Sequence, residues 1–108
     1  MLDERKRRIG ENEANSRAVN QMVRPVEPFW MTVLCECGDR SCREHLMIAQ
    51  DEYARVRENS TLFVLRPGHE TEEVEEVVAK HLEYWVVRKH PGLPANVAQA
   101  TDPTGSRP

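Results

Sequence analysis

Three cysteines lie within eight residues of one another, at Cys35, Cys37 and Cys42. Thiolates are preferred zinc ligands, and this Cys-x-Cys-x4-Cys spacing is compact enough for all three sulfurs to reach one ion. Gly38 lies inside the segment and can adopt backbone conformations that other residues resist. The spacing therefore predicts a zinc-binding knuckle, which we define as residues 35–42.

A structural zinc ion needs a fourth ligand, and two histidines are candidates. His45 follows Cys42 by three residues, so spacing alone favours it. His69 comes directly after Pro67-Gly68, and a rigid turn of this kind can deliver a side chain from across a sheet. Three acidic side chains are weaker oxygen-donor candidates: Glu36, Asp39 and Glu44.

Length and composition favour one small domain that needs an additional source of stability. The chain has 108 residues, of which 39% are hydrophobic and 6% are aromatic. If about 65 residues form the folded part, folding buries only about 60% of the unfolded surface, and a bound metal commonly adds the missing stability. Clustered cysteines in such a chain are more often metal ligands than catalysts.

The distribution of charge bears on the kind of partner. The net charge is -3, and residues 25–90 carry 8 basic and 13 acidic side chains. A basic run, Arg5-Lys6-Arg7-Arg8, is confined to the first segment, whereas nucleic-acid-binding domains usually present a basic face. We therefore expect a protein partner, and a nucleic acid is the less favoured alternative.

The sequence also bears on location. No stretch reaches the roughly 18 consecutive apolar residues of a membrane-spanning helix, and the first residues do not resemble a signal peptide. Three reduced cysteines suit the reducing cytosol. These features predict a cytoplasmic protein with no membrane partner.

Hydrophobic patterning predicts an α+β fold in which the knuckle connects two strands. Short β-branched and aromatic runs indicate strands, and apolar residues at helical spacing indicate short helices. The predicted strands are 29–35, 45–49, 61–66 and 84–88, and the predicted short helices are 50–59 and 72–81. The expected fold is an N-terminal helix plus a small antiparallel sheet of about four strands with two short helices, stabilised by zinc.

These patterns divide the chain into three segments. Residues 1–24 form an N-terminal helical segment with a broken apolar stripe, in which the helix spans about residues 11–23 and frays before Gly10. Residues 25–90 form the small zinc-binding α+β domain. Residues 91–108 are rich in Pro, Gly, Ala, Thr and Ser, which predicts a disordered tail.

Two motifs stand out as the most specific in the chain: Cys-Glu-Cys-Gly-Asp at 35–39 followed by Cys42, and Pro-Gly-His-Glu at 67–70. With them, residues 9–89 resemble a family of small, uncharacterised actinobacterial proteins. In that family the histidine of the Pro-Gly-His motif accompanies the cysteines, and the position matching His45 takes other residues. The resemblance therefore implies His69 as the fourth ligand, although this chain has His45 as well. It implies no activity.

A structural Cys3His zinc site in a protein-interaction or regulatory module is the function we expect. Four protein ligands close the coordination shell, and a chain this small offers little wall for a substrate pocket of the usual 300 Å³ or so, so we do not expect an enzyme. A thiol-based redox or zinc sensor is the first alternative, because zinc-bound thiolates can oxidise with release of the metal. A nucleic-acid-binding regulator is the second.

Overall fold

The computed structural model describes residues 2–24 and 28–103, in which three helices and five strands are found. The α+β fold class is confirmed. The elements in chain order are α1 (Leu2–Gln21), β1 (Trp30–Leu34), β2 (His45–Ala49), α2 (Gln50–Arg57), β3 (Leu62–Leu65), β4 (Glu75–Lys80), β5 (Trp85–Lys89) and α3 (Leu93–Ala100).

The strands form two antiparallel sheets rather than one. β1 pairs with β2 with Val33 opposite Leu46, and the second sheet has the order β3-β5-β4. One core cluster lies between β1, β2, α2 and the second sheet, and includes Val33, Ile48 and Val64. A second cluster contains Cys35, Cys37, Phe63, Leu65, Val87 and Ala98, so two of the knuckle cysteines belong to the hydrophobic core.

The helix predicted over residues 72–81 is wrong, because the chain forms β4 there. The valines in this segment have helical spacing, but Glu75 occupies a buried position at the start of the strand. Glu75 lies directly opposite Lys89 of β5, and Lys89 Nζ donates a hydrogen bond to Glu75 Oε1 at 2.9 Å. A charged residue at a core position hides the alternation that normally reveals a strand.

The tail predicted to be disordered contains α3, so that prediction is wrong for residues 93–100. Pro94 lies in the first turn of α3, where its missing N–H costs nothing. Val97 and Ala98 are buried, and α3 packs against α1. Residues 104–108 of the predicted tail lie outside the described residues.

The first helix is longer and more deeply packed than its apolar pattern predicts. α1 has 20 residues, and its buried face includes Glu13, Arg17 and Asn20. A Cβ on Gly10 would lie 3.0 Å from Val97 Cγ1, so this glycine marks the close approach of α3 and not a frayed helix end. Within residues 2–24 and 28–103, no helix has the combined length and apolar character needed to cross a membrane.

Candidate metal centre

Four side chains converge at the junction of the two sheets: Cys35, Cys37, Cys42 and His69. One ligand atom from each of them lies within 4.8 Å of the others. The three cysteines come from the connection between β1 and β2, and the histidine comes from the loop that follows β3. The cluster therefore joins the first sheet to the second, and it can hold a metal ion.

The distances within the cluster suit a tetrahedral zinc ion. Nδ1 of His69 lies 3.5 Å from Cys35 Sγ and 3.7 Å from Cys42 Sγ. Zinc bonds of about 2.3 Å to sulfur and about 2.0–2.1 Å to nitrogen, at tetrahedral angles, separate the two donor atoms by about 3.5–3.6 Å. These two separations therefore fit donor atoms that share one zinc ion.

A tight turn presents His69 to the cysteines. The His69 amide donates to the Arg66 carbonyl at 3.0 Å, and Gly68 has a φ of 85°. Proline at the second position and glycine with positive φ at the third are the signature of a type II turn. The Pro67-Gly68 pair thus fixes the direction in which the imidazole points.

Cys35 also receives a backbone hydrogen bond from this turn. The Arg66 amide donates to Cys35 Sγ at 3.2 Å. Hydrogen bonds from backbone amides favour the charged form of a thiol, which is the form that binds a metal. The residue that opens the turn therefore also binds one of the three thiols.

The tip of the knuckle is shaped by Asp39, which does not join the cluster. Asp39 Oδ1 accepts hydrogen bonds from the Ser41 amide at 2.9 Å and from Ser41 Oγ at 2.7 Å. These hydrogen bonds lower the pKa of Asp39. The Cys42 amide donates to the Asp39 carbonyl at 3.1 Å, which closes the turn that brings Cys42 back toward the other two cysteines.

Gly38 is needed for close packing rather than for an unusual backbone conformation. Of the described glycines, those with positive φ are Gly68 and Gly92, so the conformational role expected for Gly38 is wrong. A Cβ on Gly38 would lie 2.4 Å from Ile9 Cγ2 and 3.3 Å from the Ile9 carbonyl oxygen. Asn12 Nδ2 donates to the Gly38 carbonyl at 3.0 Å. The knuckle is thus pressed directly against α1.

Glu36 points away from the metal cluster and into the core, where it is completely buried. Its Oε2 accepts hydrogen bonds from Tyr53 OH at 2.5 Å and from Asn20 Nδ2 at 2.9 Å. Its Oε1 accepts from the Val64 amide at 3.1 Å, and its own amide donates to the Val64 carbonyl at 2.8 Å. The residue between Cys35 and Cys37 is therefore anchored to α1, α2 and β3 together.

Asn20 reinforces this anchor at the edge of β1. Its side-chain Oδ1 accepts from the Leu34 amide at 2.8 Å, and its Nδ2 donates to the Leu34 carbonyl at 2.9 Å. The amide thus pairs with the strand as another strand would. Nothing in the sequence pattern marks Asn20 or Tyr53 as part of the site, because their roles depend on contacts between distant segments.

The remaining candidate ligands lie outside the cluster. His45 is exposed at the start of β2, opposite Leu34 of β1. Glu44 is exposed and lies 4.0 Å from Arg66 Nε. Of the two candidate histidines, the structure therefore brings His69, and not His45, beside the three cysteines.

Crowding of three thiols changes their acidity in the metal-free chain. A hydrogen bond to Cys37 and burial raise the pKa of Cys35, and burial raises the pKa of Cys42. The hydrogen bond from Cys35 lowers the pKa of Cys37 to about 5. Without a cation one thiolate is favoured and its neighbours remain protonated, whereas a bound metal holds all of its thiol ligands deprotonated.

The donor set is the main guide to the chemistry of this site. Comparisons of the chain with protein-family models, with curated proteins and with solved structures find no match. Three thiolates and one imidazole are typical ligands of structural zinc, and thiolates also favour Cu(I) and iron–sulfur clusters. The single-ion spacing and the nitrogen ligand favour zinc among these.

Substituting Glu36 tests whether its buried carboxylate positions the metal ligands. Glu36→Ala should weaken zinc binding by about tenfold or more, as is common when residues that orient metal ligands are removed. Glu36→Gln should fall between the parent and Glu36→Ala, because the amide retains one acceptor oxygen. Competition with a chromophoric zinc chelator measures the affinities. Glu44→Ala is the matched control, and equal affinities of all four chains would contradict the positioning role.

Proposed function

We propose that the chain binds one zinc ion through Cys35, Cys37, Cys42 and His69, and that this structural site stabilises a module that binds another protein. The observation that carries the proposal is the convergence of four ligands from two sheets. A site of this kind links segments that a small core holds together weakly. The resemblance of the motifs to small actinobacterial proteins agrees with this proposal, as does the suitability of unpaired thiols for a reducing cytoplasm.

A structural role is favoured over a catalytic one by the number of protein ligands. Catalytic zinc usually has three protein ligands and keeps a position for water or substrate. Here a fourth donor, His69 Nδ1, lies beside the thiols, and Cys35 and Cys37 are buried. We therefore propose that the chain is not an enzyme.

Charge favours a protein partner over a nucleic acid. The chain has a net charge of -3, and the basic run near its start is partly engaged, because Arg5 forms an ion pair with Glu73 at 3.0 Å. A nucleic-acid-binding surface gains most of its affinity from several unpaired cations on one face. An acidic body would oppose that gain.

A redox or zinc sensor is the second candidate, and the exposure of Cys42 favours it. Cys42 is half-buried and lines a cavity of about 350 Å³ between α1 and the knuckle, whereas the other two cysteines are buried. Hydrogen peroxide that reaches this cavity would oxidise two thiolates to a disulfide. The peroxide would be reduced to two water molecules with uptake of two protons, and the zinc ion would be released because it loses two ligands. Zinc release at micromolar peroxide would support this candidate.

Native mass spectrometry of chain purified without added metal tests the proposed site. The parent and His45→Ala should each carry one zinc ion per chain, and His69→Ala should lose it or retain it in only a minor fraction. His45→Ala is a matched control because it removes an exposed histidine close in sequence to the same cysteines.

Two outcomes would contradict the proposed site. Zinc retained equally by His45→Ala and His69→Ala would indicate an open fourth position and would favour an enzyme. A parent chain that carries no metal and has free or oxidised thiols would remove the structural role of zinc and favour redox chemistry.

A further inference from the structure

Large apolar side chains are exposed together on one face of the molecule. Trp30 of β1 is 49% exposed, Met47 of β2 is 48% exposed, and Leu82 of the β4–β5 connection is 94% exposed. Met47 lies opposite Thr32 of β1, and Trp30 is two residues before Thr32 on that strand. Trp30 and Met47 therefore lie on the same side of the first sheet. Contiguous exposed apolar groups of this kind usually mark an interaction site.

Two adjacent clefts make this face concave, as a docking site requires. One cleft, of about 220 Å³, is lined by Trp30, Met47 and Leu82 among others. The other, of about 490 Å³, lies beyond Trp30 and includes Phe29. Trp30 and Ala49 border both clefts, so a single extended segment can cross the indole and place side chains on either side of it.

The charged side chains that line these clefts are acidic. Among the described residues that line either cleft, the charged side chains are Asp51, Glu52 and Glu83, and none is lysine or arginine. Glu52 accepts a hydrogen bond from Tyr84 OH at 2.8 Å, and Glu83 Oε1 lies 3.4 Å from Arg66 Nη1. These contacts hold two of the carboxylates in place at the rim.

We propose that this face, made of Phe29, Trp30, Met47 and Leu82 with its acidic rim, binds a basic segment of a partner protein that carries a bulky apolar anchor residue. The apolar clefts would take the anchor, and the carboxylates would attract lysine or arginine on either side of it. This inference rests on the proposed function as a protein-binding module and names its binding surface.

The acidic rim also argues against the other occupants of such a face. A second copy of the chain, docked about a two-fold axis, would bring the rim carboxylates of both copies together, and like charges in contact disfavour a complex. Nucleic acids and anionic membranes would place phosphates against the same carboxylates. A cationic partner is the occupant that the charges favour.

Selection from a random dodecapeptide library displayed on phage tests the proposal, with the zinc-loaded full chain as the immobilised target. Enriched peptides should share lysine or arginine on both sides of a large apolar residue. Fluorescence anisotropy of the best synthetic peptide should then give an affinity about tenfold or more weaker for Leu82→Ser and for Trp30→Ala, as expected for anchor contacts. The double variant Asp51→Lys/Glu83→Lys should weaken binding to a similar extent.

Matched control variants show whether a loss of binding comes from this surface or from any change of exposed apolar area or net charge. Val19→Ser removes a side chain that is 52% exposed but lines neither cleft, and Glu72→Lys/Glu76→Lys makes the same charge change elsewhere. Both should bind within about twofold of the parent, well below the loss expected for an anchor residue. Circular dichroism and zinc content should show that every variant is folded and loaded.

The outcomes distinguish this surface from the proposed function itself. Enriched peptides whose binding is insensitive to the Trp30 and Leu82 variants would overturn the surface but keep a protein-binding module. Acidic peptides, or no enrichment with fully zinc-loaded chain, would also overturn it. A dimer in sedimentation velocity that Leu82→Ser dissociates would assign the face to a second copy instead. Failure of the zinc site would be seen separately, as missing metal in the native mass spectrum.

Discussion

Removal of the metal with a strong chelator should abolish the fixed tertiary structure of the chain. Structural zinc contributes about 10–16 kcal/mol of apparent binding free energy in finger peptides, whereas a whole domain is stable by only about 5–15 kcal/mol. In this chain the cluster joins the two sheets, and Cys35 and Cys37 also belong to the core cluster around Phe63. The loss of one ion should therefore open the core as well as the site.

The position of Trp85 makes this loss measurable. Trp85 is half-buried and packs against the core cluster that contains the cysteines, so near-ultraviolet circular dichroism should collapse on chelation and return when zinc is restored. His45→Ala should behave like the parent. Retention of the full near-ultraviolet signal after verified removal of the metal would show that the core is stable without it.

Replacing Lys89 with methionine should cost about 3–5 kcal/mol of unfolding free energy, the second-largest effect that we expect. Lys89 Nζ donates hydrogen bonds to Glu13 Oε1 and to Glu75 Oε1, and all three side chains are almost completely buried. Methionine fills similar space but leaves two carboxyl groups buried without the ammonium group that pairs with them. Urea denaturation of zinc-loaded chain, with zinc in excess, measures the change.

Glu13→Gln is the matched control for this triad and should cost much less. Burial, and then the neighbouring Glu75 carboxylate, raise the pKa of Glu13 well above its usual value. Glutamine resembles the protonated acid, and its amide oxygen can still accept from Lys89. Equal destabilisation by Lys89→Met and Glu13→Gln would contradict a role for the buried ammonium as the essential partner.

The same pKa shift gives Glu13 a definite contribution to the pH dependence of stability. Because its pKa is raised on folding, the folded chain holds a proton that the unfolded chain releases at the same pH. Its stabilising contribution is therefore fully present below the unfolded pKa of about 4.5 and is lost as the pH rises through the folded pKa. Glu13→Gln should remove this slope, which urea titrations across that pH range would detect.

Much of the knuckle and its flanking strands can be predicted from the sequence. The sequence predicts a strand over residues 45–49, and β2 has those bounds. The prediction succeeds there because a short apolar run, residues 46–49, follows a polar turn, and local pattern decides the structure. The cysteine spacing and the Pro-Gly turn likewise act over short distances, so the cluster of three thiols was predictable.

The parts that could not be predicted depend on polar side chains paired over long distances. Arg17 is buried because its guanidinium donates to the Ser60 and Ala98 carbonyls, at 2.7 Å and 2.8 Å, and lies 4.4 Å from the Phe63 ring centroid. On a helix such a residue is expected at the surface, so the sequence predicts that α1 is weakly docked. The sequence predicts a disordered tail where α3 forms, and the reason is related. α3 is stabilised by contacts with distant segments, such as the hydrogen bond from Arg17 to the Ala98 carbonyl.

Zinc K-edge X-ray absorption of the chain as purified, without added metal, identifies the atoms bound to the ion. We expect one tightly bound zinc ion in a four-coordinate shell of three sulfurs at about 2.3 Å and one nitrogen at about 2.0–2.1 Å. The nitrogen contribution should persist in His45→Ala. A shell dominated by oxygen, or one with fewer than three sulfurs, would contradict the assignment of Cys35, Cys37, Cys42 and His69 as its ligands.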